Sequence, residues 1–124
     1  MRRRTLALVL ATAVLSGADA DPEDPPLCRD ALAAHPDETA LAALAKDESR
    51  LAREARTARR EARKVMREAL GAGAAARGRL PAYEALLDRE RAAKHDAKVI
   101  CYCRARRDDP HREDCELLYP VVIR

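Results

Sequence analysis

Four cysteines and one histidine are the residues of this sequence whose types and spacing could do chemistry. Three of the cysteines and His111 fall within the stretch CYCRARRDDPHREDC, residues 101–115, and the fourth is Cys28. Three thiolates and an imidazole form a ligand set that zinc accepts, and copper(I) favours thiolates. The same thiols could instead form two disulfides, which stabilise small exported domains. The elements that position the cysteines decide between these interpretations.

The first twenty residues predict export. MRRRTLALVLATAVLSGADA has three arginines, an apolar run from Leu6 to Leu15 and the small-x-small sequence Ala18-Asp19-Ala20, which together are typical of a cleavable signal peptide. Ten helical residues rise only about 15 Å, which is too short for a membrane anchor. No cysteine directly follows the apolar run, so we expect no lipid anchor. The predicted mature chain begins at Asp21 and resides in the periplasm or outside the cell.

Removal of the signal peptide leaves a nearly neutral chain. The whole chain has 24 Lys+Arg and 21 Asp+Glu, and residues 1–20 account for three of the bases and one of the acids. A general affinity for polyanions therefore has little support from net charge. Nucleic acid is not an expected partner, because the chain is exported and its basic segment has no aromatic residue on which bases could stack.

A repeat of seven residues predicts a long helix over residues 36–70, with Pro36 in its first turn. From Asp47 the chain reads DESRLAR, EARTARR, EARKVMR, EALGAGA, with an acid at every seventh residue. Small or apolar residues alternate at spacings of three and four, as in a coiled-coil seam, and Glu48 is the only interruption. The seam positions are Leu41, Leu44, Leu51, Ala55, Ala58, Ala62, Val65 and Ala69.

The same spacing predicts a second long helix over residues 81–106, with Glu90 as the exception at its seam. The seam positions there are Tyr83, Leu86, Ala93, Ala97 and Ile100. About ten residues, three of them glycines, join the two helices, and so short a connection predicts an antiparallel hairpin. A seam of alanines buries little apolar area, so further cross-links or a third layer must stabilise it.

The expected fold class is therefore all-α, with a long antiparallel, coiled-coil-like hairpin as its main feature. We expect a single domain over residues 27–124, which begins with a short helix over residues 27–34. Residues 21–26, DPEDPP, are expected to be an exposed acidic, Pro-rich lead-in. Residues 116–124 are expected to form an extended tail, because Pro120 interrupts any regular helix there.

An antiparallel hairpin brings the four cysteines to one pole. Cys101 and Cys103 end the second long helix and lie about 200° apart around its axis, so a bond between them is geometrically poor. Two separate bridges are therefore expected. The favoured pairing is Cys28–Cys101 with Cys103–Cys115, and Cys28–Cys103 with Cys101–Cys115 is nearly as good.

The alternative is a zinc or copper site formed by Cys101, Cys103, His111 and Cys115. Their spacing is not one of the common zinc spacings, and the site would leave Cys28 as an odd thiol in an oxidising compartment. Disulfides are the preferred interpretation, and no cofactor is expected. Ser49 is the only serine of the mature chain and lies within a predicted helix, so no catalytic triad can be assembled and we expect no enzyme.

Two surfaces are candidates for binding a partner. One is a basic helix face and the other is the apolar tail. We expect the tail to fold back over Leu27 and Leu32, and the alternative is that it binds a partner. The basic face is expected to be an ordinary solvated helix surface. Binding of an anionic surface polymer or of lipid headgroups is the alternative. The candidate residues are Arg53, Arg56, Arg60, Arg63, Arg67, Leu117, Leu118, Tyr119, Val121, Val122 and Ile123.

The function that we expect is an exported, non-enzymatic binding module, such as an adaptor, an inhibitor or a chaperone-like protein. Its expected partner is another protein, and self-association through the helical seam is a further option. The alternative function is metal binding through the cysteine cluster.

Overall fold

The computed structural model describes residues 21–107 and 114–120, and these residues are almost entirely helical. Helix α1 spans Pro26–Ala34, α2 spans Ala40–Ala72, α3 spans Leu80–Arg107 and α4 spans Asp114–Leu118. A 3-10 helix, Gly73–Arg79, joins α2 to α3. The described part of the chain contains no strand, so the expected all-α class is confirmed.

Helices α2 and α3 form the predicted antiparallel hairpin. Three ion pairs cross between them, Glu48–Arg104 at 3.3 Å, Arg59–Glu90 at 2.8 Å and Glu61–Arg89 at 4.0 Å. The partner on α3 moves back along the chain as the partner on α2 moves forward, which defines the antiparallel register. Most of the predicted seam is buried between the helices, namely Leu44, Leu51, Ala55, Ala58, Ala62, Ala69, Ala93, Ala97 and Ile100.

Helix α1 supplies the third layer that the alanine seam requires. Its buried face consists of Cys28, Ala31 and Leu32, which join Leu44 and Ile100 in one apolar cluster. The largest fully buried side chains of the described residues all lie at this end of the hairpin. We call this end, which also carries both disulfides, the clasped pole.

The start of α2 differs from the prediction. The helix begins at Ala40 instead of residue 36, and the hydroxyl of Thr39 accepts a hydrogen bond from the backbone N–H of Ala42 at 3.2 Å. Such a cap satisfies one of the unpaired N–H groups at a helix start. Pro36 lies in a turn outside the helix, where the N–H of Glu38 donates to the carbonyl of His35 at 3.2 Å. This turn reverses the chain between α1 and α2.

The opposite end of α2 extends two residues beyond the prediction. The helix continues through Gly71 to Ala72, and Gly73 ends it with a φ of 60°. A positive φ at the end of a helix favours glycine, because a Cβ atom there would meet the following carbonyl group. Gly73 therefore sets where α2 stops.

The short N-terminal helix predicted over residues 27–34 is confirmed, whereas the predictions for the lead-in and for the tail hold only in part. The lead-in is not fully exposed, because the side chain of Asp24 is completely buried. The prediction of an extended tail is wrong for residues 116–118, because they belong to α4. The predicted signal peptide, residues 1–20, and the end of the tail, residues 121–124, lie outside the described residues.

Candidate binding surface at the clasped pole

Two disulfides cross-link the clasped pole, Cys28–Cys103 and Cys101–Cys115. The favoured pairing, Cys28–Cys101 with Cys103–Cys115, is therefore wrong. The pairing formed is the second one considered in the sequence analysis. The reason is the side of α3 on which α1 packs. Cys103 belongs to the apolar cluster that α1 covers, whereas Cys101 faces the other flank, where α4 returns.

The metal interpretation is not supported at this pole. Every cysteine is in a disulfide, so the thiolates that the ligand set required are not present. His111 lies outside the described residues. Within residues 21–107 and 114–120, no three histidines, cysteines or acids are grouped so that they could hold a metal ion.

Asp24 attaches the start of the domain to the end of α3. Its carboxylate accepts hydrogen bonds from Arg106 and from Arg107, the latter at 2.6 Å. A turn positions it, since the N–H of Asp24 donates to the carbonyl of Asp21 at 2.9 Å. Burial, the largest single influence, would raise the pKa of Asp24. The hydrogen bonds from Arg107 and from the backbone N–H of Asp21, together with the charges of both arginines, outweigh it, so the pKa is lowered. Asp24 is therefore a buried anion held between two arginines.

Glu48 attaches the end of α4 to the hairpin. The hydroxyl of Tyr119 donates to one carboxylate oxygen of Glu48 at 2.6 Å, and Arg104 lies 3.3 Å from the other. Burial and the hydrogen bond to Glu48 both raise the pKa of Tyr119, so the phenol stays protonated and donates. The sequence contained a signal for this site, because Glu48 interrupts the apolar seam, but no partner was assigned to it in the sequence analysis. An acid at a seam position indicates that a buried partner is present.

Helix α4 is held at several points although it has only five residues. Cys115 is bonded to Cys101, and Glu116 accepts hydrogen bonds from Tyr102 and from Lys98, the latter at 3.2 Å. Tyr119 follows the helix and completes the attachment. A helix this short is not stable in isolation, so these contacts are what keep it formed.

The two leucines of α4 point away from the domain. Leu117 is 79% exposed and Leu118 is 57% exposed. The expectation that the tail folds over Leu27 and Leu32 is thus wrong for both leucines. Among the described residues of the tail, 116–120, Tyr119 is the one that packs against that cluster. The physical reason is the disulfide at Cys115, which turns its own side of α4 inward. Val121, Val122 and Ile123 lie outside the described residues.

The predicted basic face lies elsewhere on the molecule. Arg53, Arg56, Arg60, Arg63 and Arg67 are all exposed on α2. They fall between the seam positions, and two of them, Arg63 and Arg67, also line a groove against Tyr83 and Leu87 of α3. The apolar and basic candidate residues therefore belong to two separate surfaces.

The described residues define a disulfide-linked helical hairpin that presents a fixed leucine pair at one pole. The chain matches no protein-family model, no curated protein and no solved structure. None of the helices described here is long and apolar enough to cross a membrane. Two disulfides in so small a domain indicate a non-reducing, exported location.

Proposed function

We propose that this protein is an exported, non-enzymatic binding module that binds another protein through Leu117 and Leu118. The observation that carries the proposal is the contrast within α4. The helix is fixed to α3 and to Glu48, yet its two largest apolar side chains face solvent. A helix that served only to complete the core would turn these leucines inward.

The attachment of α4 is what makes the leucine pair suitable for binding. Full burial of a leucine side chain contributes about 1.5–3 kcal/mol, so the pair supplies a useful share of an interface. Binding by an unattached segment would lose part of this free energy to ordering of the backbone and side chains. Here the disulfide and the Tyr119–Glu48 hydrogen bond order the segment before a partner arrives.

The expected setting is the periplasm or the extracellular space, in agreement with the signal peptide predicted for residues 1–20. An adaptor, an inhibitor or a chaperone-like protein would each use a small preordered apolar patch of this kind. The partner would contribute an apolar groove that accepts the exposed face of a short helix.

The test compares two pairs of exposed leucines at opposite ends of the hairpin. Leu117→Ser/Leu118→Ser removes the proposed contact, and Leu70→Ser/Leu80→Ser is the matched control, because those leucines are 78% and 47% exposed near the other end. Each oxidised protein is immobilised, and the proteins that it retains from the native envelope or secreted fraction are identified by mass spectrometry. Circular dichroism verifies that both variants remain folded.

The expected result is one partner that the wild type and the control retain and that the Leu117→Ser/Leu118→Ser variant loses. The proposal is wrong if both variants retain the same partner equally, or if the wild type retains none.

A further inference from the structure

A row of cations occupies the exposed side of α2, and we call it the cationic stripe. Every exposed residue from Arg53 to Arg67 is charged or is Thr57, so this length of the face has no exposed apolar or aromatic side chain. The stripe consists of Arg53, Arg56, Arg60, Arg63, Lys64 and Arg67.

The acids of α2 do not neutralise the stripe. Four of the five recur at every seventh residue and so form a separate column along the helix, and each of these pairs with a cation outside the stripe. The fifth, Glu48, is buried and pairs with Arg104 of α3. Asp47 and Glu54 both pair with Arg50, at 2.9 and 2.8 Å. Within the described residues, no member of the stripe forms an ion pair with a carboxylate.

The remaining acids of the column are likewise paired with cations from α3 and the connector. Glu61 lies 4.0 Å from Arg89, and Glu68 lies 3.3 Å from Arg79. The seven-residue repeat has thus separated the charges of α2 into a paired acidic column and an unpaired cationic row. An unpaired row of this kind is a local positive field on a chain of low net charge.

The stripe is straight and regularly spaced. Arg53, Arg56, Arg60, Arg63 and Arg67 alternate at three and four residues, which places successive guanidinium groups on one face. With a helical rise of about 1.5 Å per residue, neighbours are separated by about 5 Å along the axis and the row is about 21 Å long. Such a row matches a linear chain of anions better than a single compact ligand.

We propose that the cationic stripe binds a linear anionic polysaccharide of the cell surface or its surroundings. Arginine, which supplies five of the six cations, donates two parallel hydrogen bonds to carboxylate, sulfate or phosphate groups. A membrane surface fits less well, because binding in the plane of a bilayer needs a fully exposed apolar face beside the cations. The apolar side chains that line a groove with Arg63 and Arg67 are only partly exposed, namely Met66, Tyr83 and Leu87. Single-stranded nucleic acid fits less well too, because the stripe itself contains no aromatic side chain for stacking and the aromatic side chain beside it, Tyr83, is only partly exposed.

This binding surface is separate from Leu117 and Leu118, so it goes beyond the proposed function. The leucine pair lies at the clasped pole, whereas the stripe follows the middle of α2 on its exposed side. A chain with both surfaces would hold a protein partner close to an anionic polymer. Either surface can be removed without changing the other.

The test measures binding to polygalacturonate and to dextran sulfate by titration calorimetry, with neutral dextran as the negative polymer. The variant is Arg60→Gln/Arg63→Gln. The matched control is Arg29→Gln/Arg77→Gln, which removes the same charge from two exposed arginines outside the stripe. Leu117→Ser/Leu118→Ser is measured in parallel, and it is expected to bind the polymers as the wild type does.

The expected result is saturable binding of the wild type to at least one anionic polymer, with an affinity that falls as salt is added. The stripe variant should bind at least about tenfold more weakly at low salt and show a reduced salt dependence, on the order of the 0.7 per cation that holds for single-stranded nucleic acid. The control variant should lose less than about twofold, because its arginines lie outside the row.

Three results would overturn the proposal. One is equal loss by the stripe and control variants, which would mean that only net charge matters. Another is the absence of saturable binding to both polymers at low salt. The third is binding to phosphatidylglycerol vesicles, dependent on Arg60 and Arg63, without binding to either polymer, which would assign the stripe to a membrane surface.

Discussion

Three buried acids connect the separate elements of this domain. Asp24 contacts Arg106 and Arg107 at the end of α3, Glu48 contacts Arg104 and Tyr119, and Glu90 accepts from Arg59 at 2.8 Å. A buried ion pair adds little net stability compared with apolar residues, but loss of one partner is costly because it leaves the other charge unpaired. We infer that these acids determine which elements pack together and in which register.

Asp24 makes the stability of the domain dependent on pH. Its pKa is lowered in the folded state, so its contribution is present above the pKa of the unfolded chain and is lost as the pH falls through the folded-state pKa. Asp24→Asn should lower the free energy of unfolding by about 2 kcal/mol at neutral pH, the order of a hydrogen bond to a charged group. In strong acid the variant and the wild type should converge.

Urea denaturation at neutral pH and in strong acid tests this expectation. Asp30→Asn, which changes an exposed acid on α1, is the control and should leave the neutral-pH stability within about 0.5 kcal/mol of the wild type. A difference between Asp24→Asn and the wild type that is the same at both pH values would contradict the role assigned to the Asp24 carboxylate.

At the scale of elements, the sequence predicted α2 and α3 well because their seam is a local, periodic pattern. The exceptions to that pattern, Glu48 and Glu90, mark the positions of the buried ion pairs. The start of α2 was not predicted because Thr39 is the cap only after the preceding turn has formed. Helix α4 was not predicted because it has no local helical pattern. Contacts with Cys101, Lys98 and Glu48 keep it helical instead.

Two glycines near the end of α2 should respond in opposite ways to the same substitution. Gly71 is helical and an added Cβ atom would meet nothing within 4 Å, so Gly71→Ala should stabilise the domain by about 0.5–1 kcal/mol. Gly73 has a φ of 60°, so Gly73→Ala should destabilise it by about 1–2 kcal/mol. Thermal unfolding followed by circular dichroism measures both changes, and two substitutions with effects of the same sign would refute the assigned end of α2.

At the scale of the whole molecule, stability is concentrated at one end. The clasped pole contains the large buried side chains, including Leu32, Leu44 and Ile100, whereas much of the seam beyond it consists of alanine. The sequence predicted that the cysteines gather at this pole, because that follows from the hairpin. The pairing depends on the flank of α3 that α1 covers, and no pattern within α1 or α3 specifies that flank. The exposed Leu117 and Leu118 depend in turn on this pairing.

The two disulfides should therefore differ in their effects on stability and on binding. In the loop-entropy model, Cys101–Cys115 closes a loop with a sequence separation of 14 and contributes about 3 kcal/mol, and Cys28–Cys103 closes one with a separation of 75 and contributes about 4.5 kcal/mol. Cys28→Ala/Cys103→Ala should therefore be less stable than Cys101→Ala/Cys115→Ala. It also leaves α1 attached to the hairpin only by packing and by the Asp24 contacts.

Cys101→Ala/Cys115→Ala should keep the hairpin and α1 but release α4. The backbone amide of Tyr119, which donates to the carbonyl of Cys115 at 3.2 Å, should then lose its protection from hydrogen exchange, while the amides of α2 and α3 keep theirs. The same variant should lose the partner that Leu117 and Leu118 bind and retain the affinity of the cationic stripe for anionic polymers. Hydrogen-exchange mass spectrometry and the two binding assays measure these effects on one preparation. Unchanged protection of the Tyr119 amide would show that the Tyr119–Glu48 and Glu116–Lys98 contacts hold the helix without the disulfide.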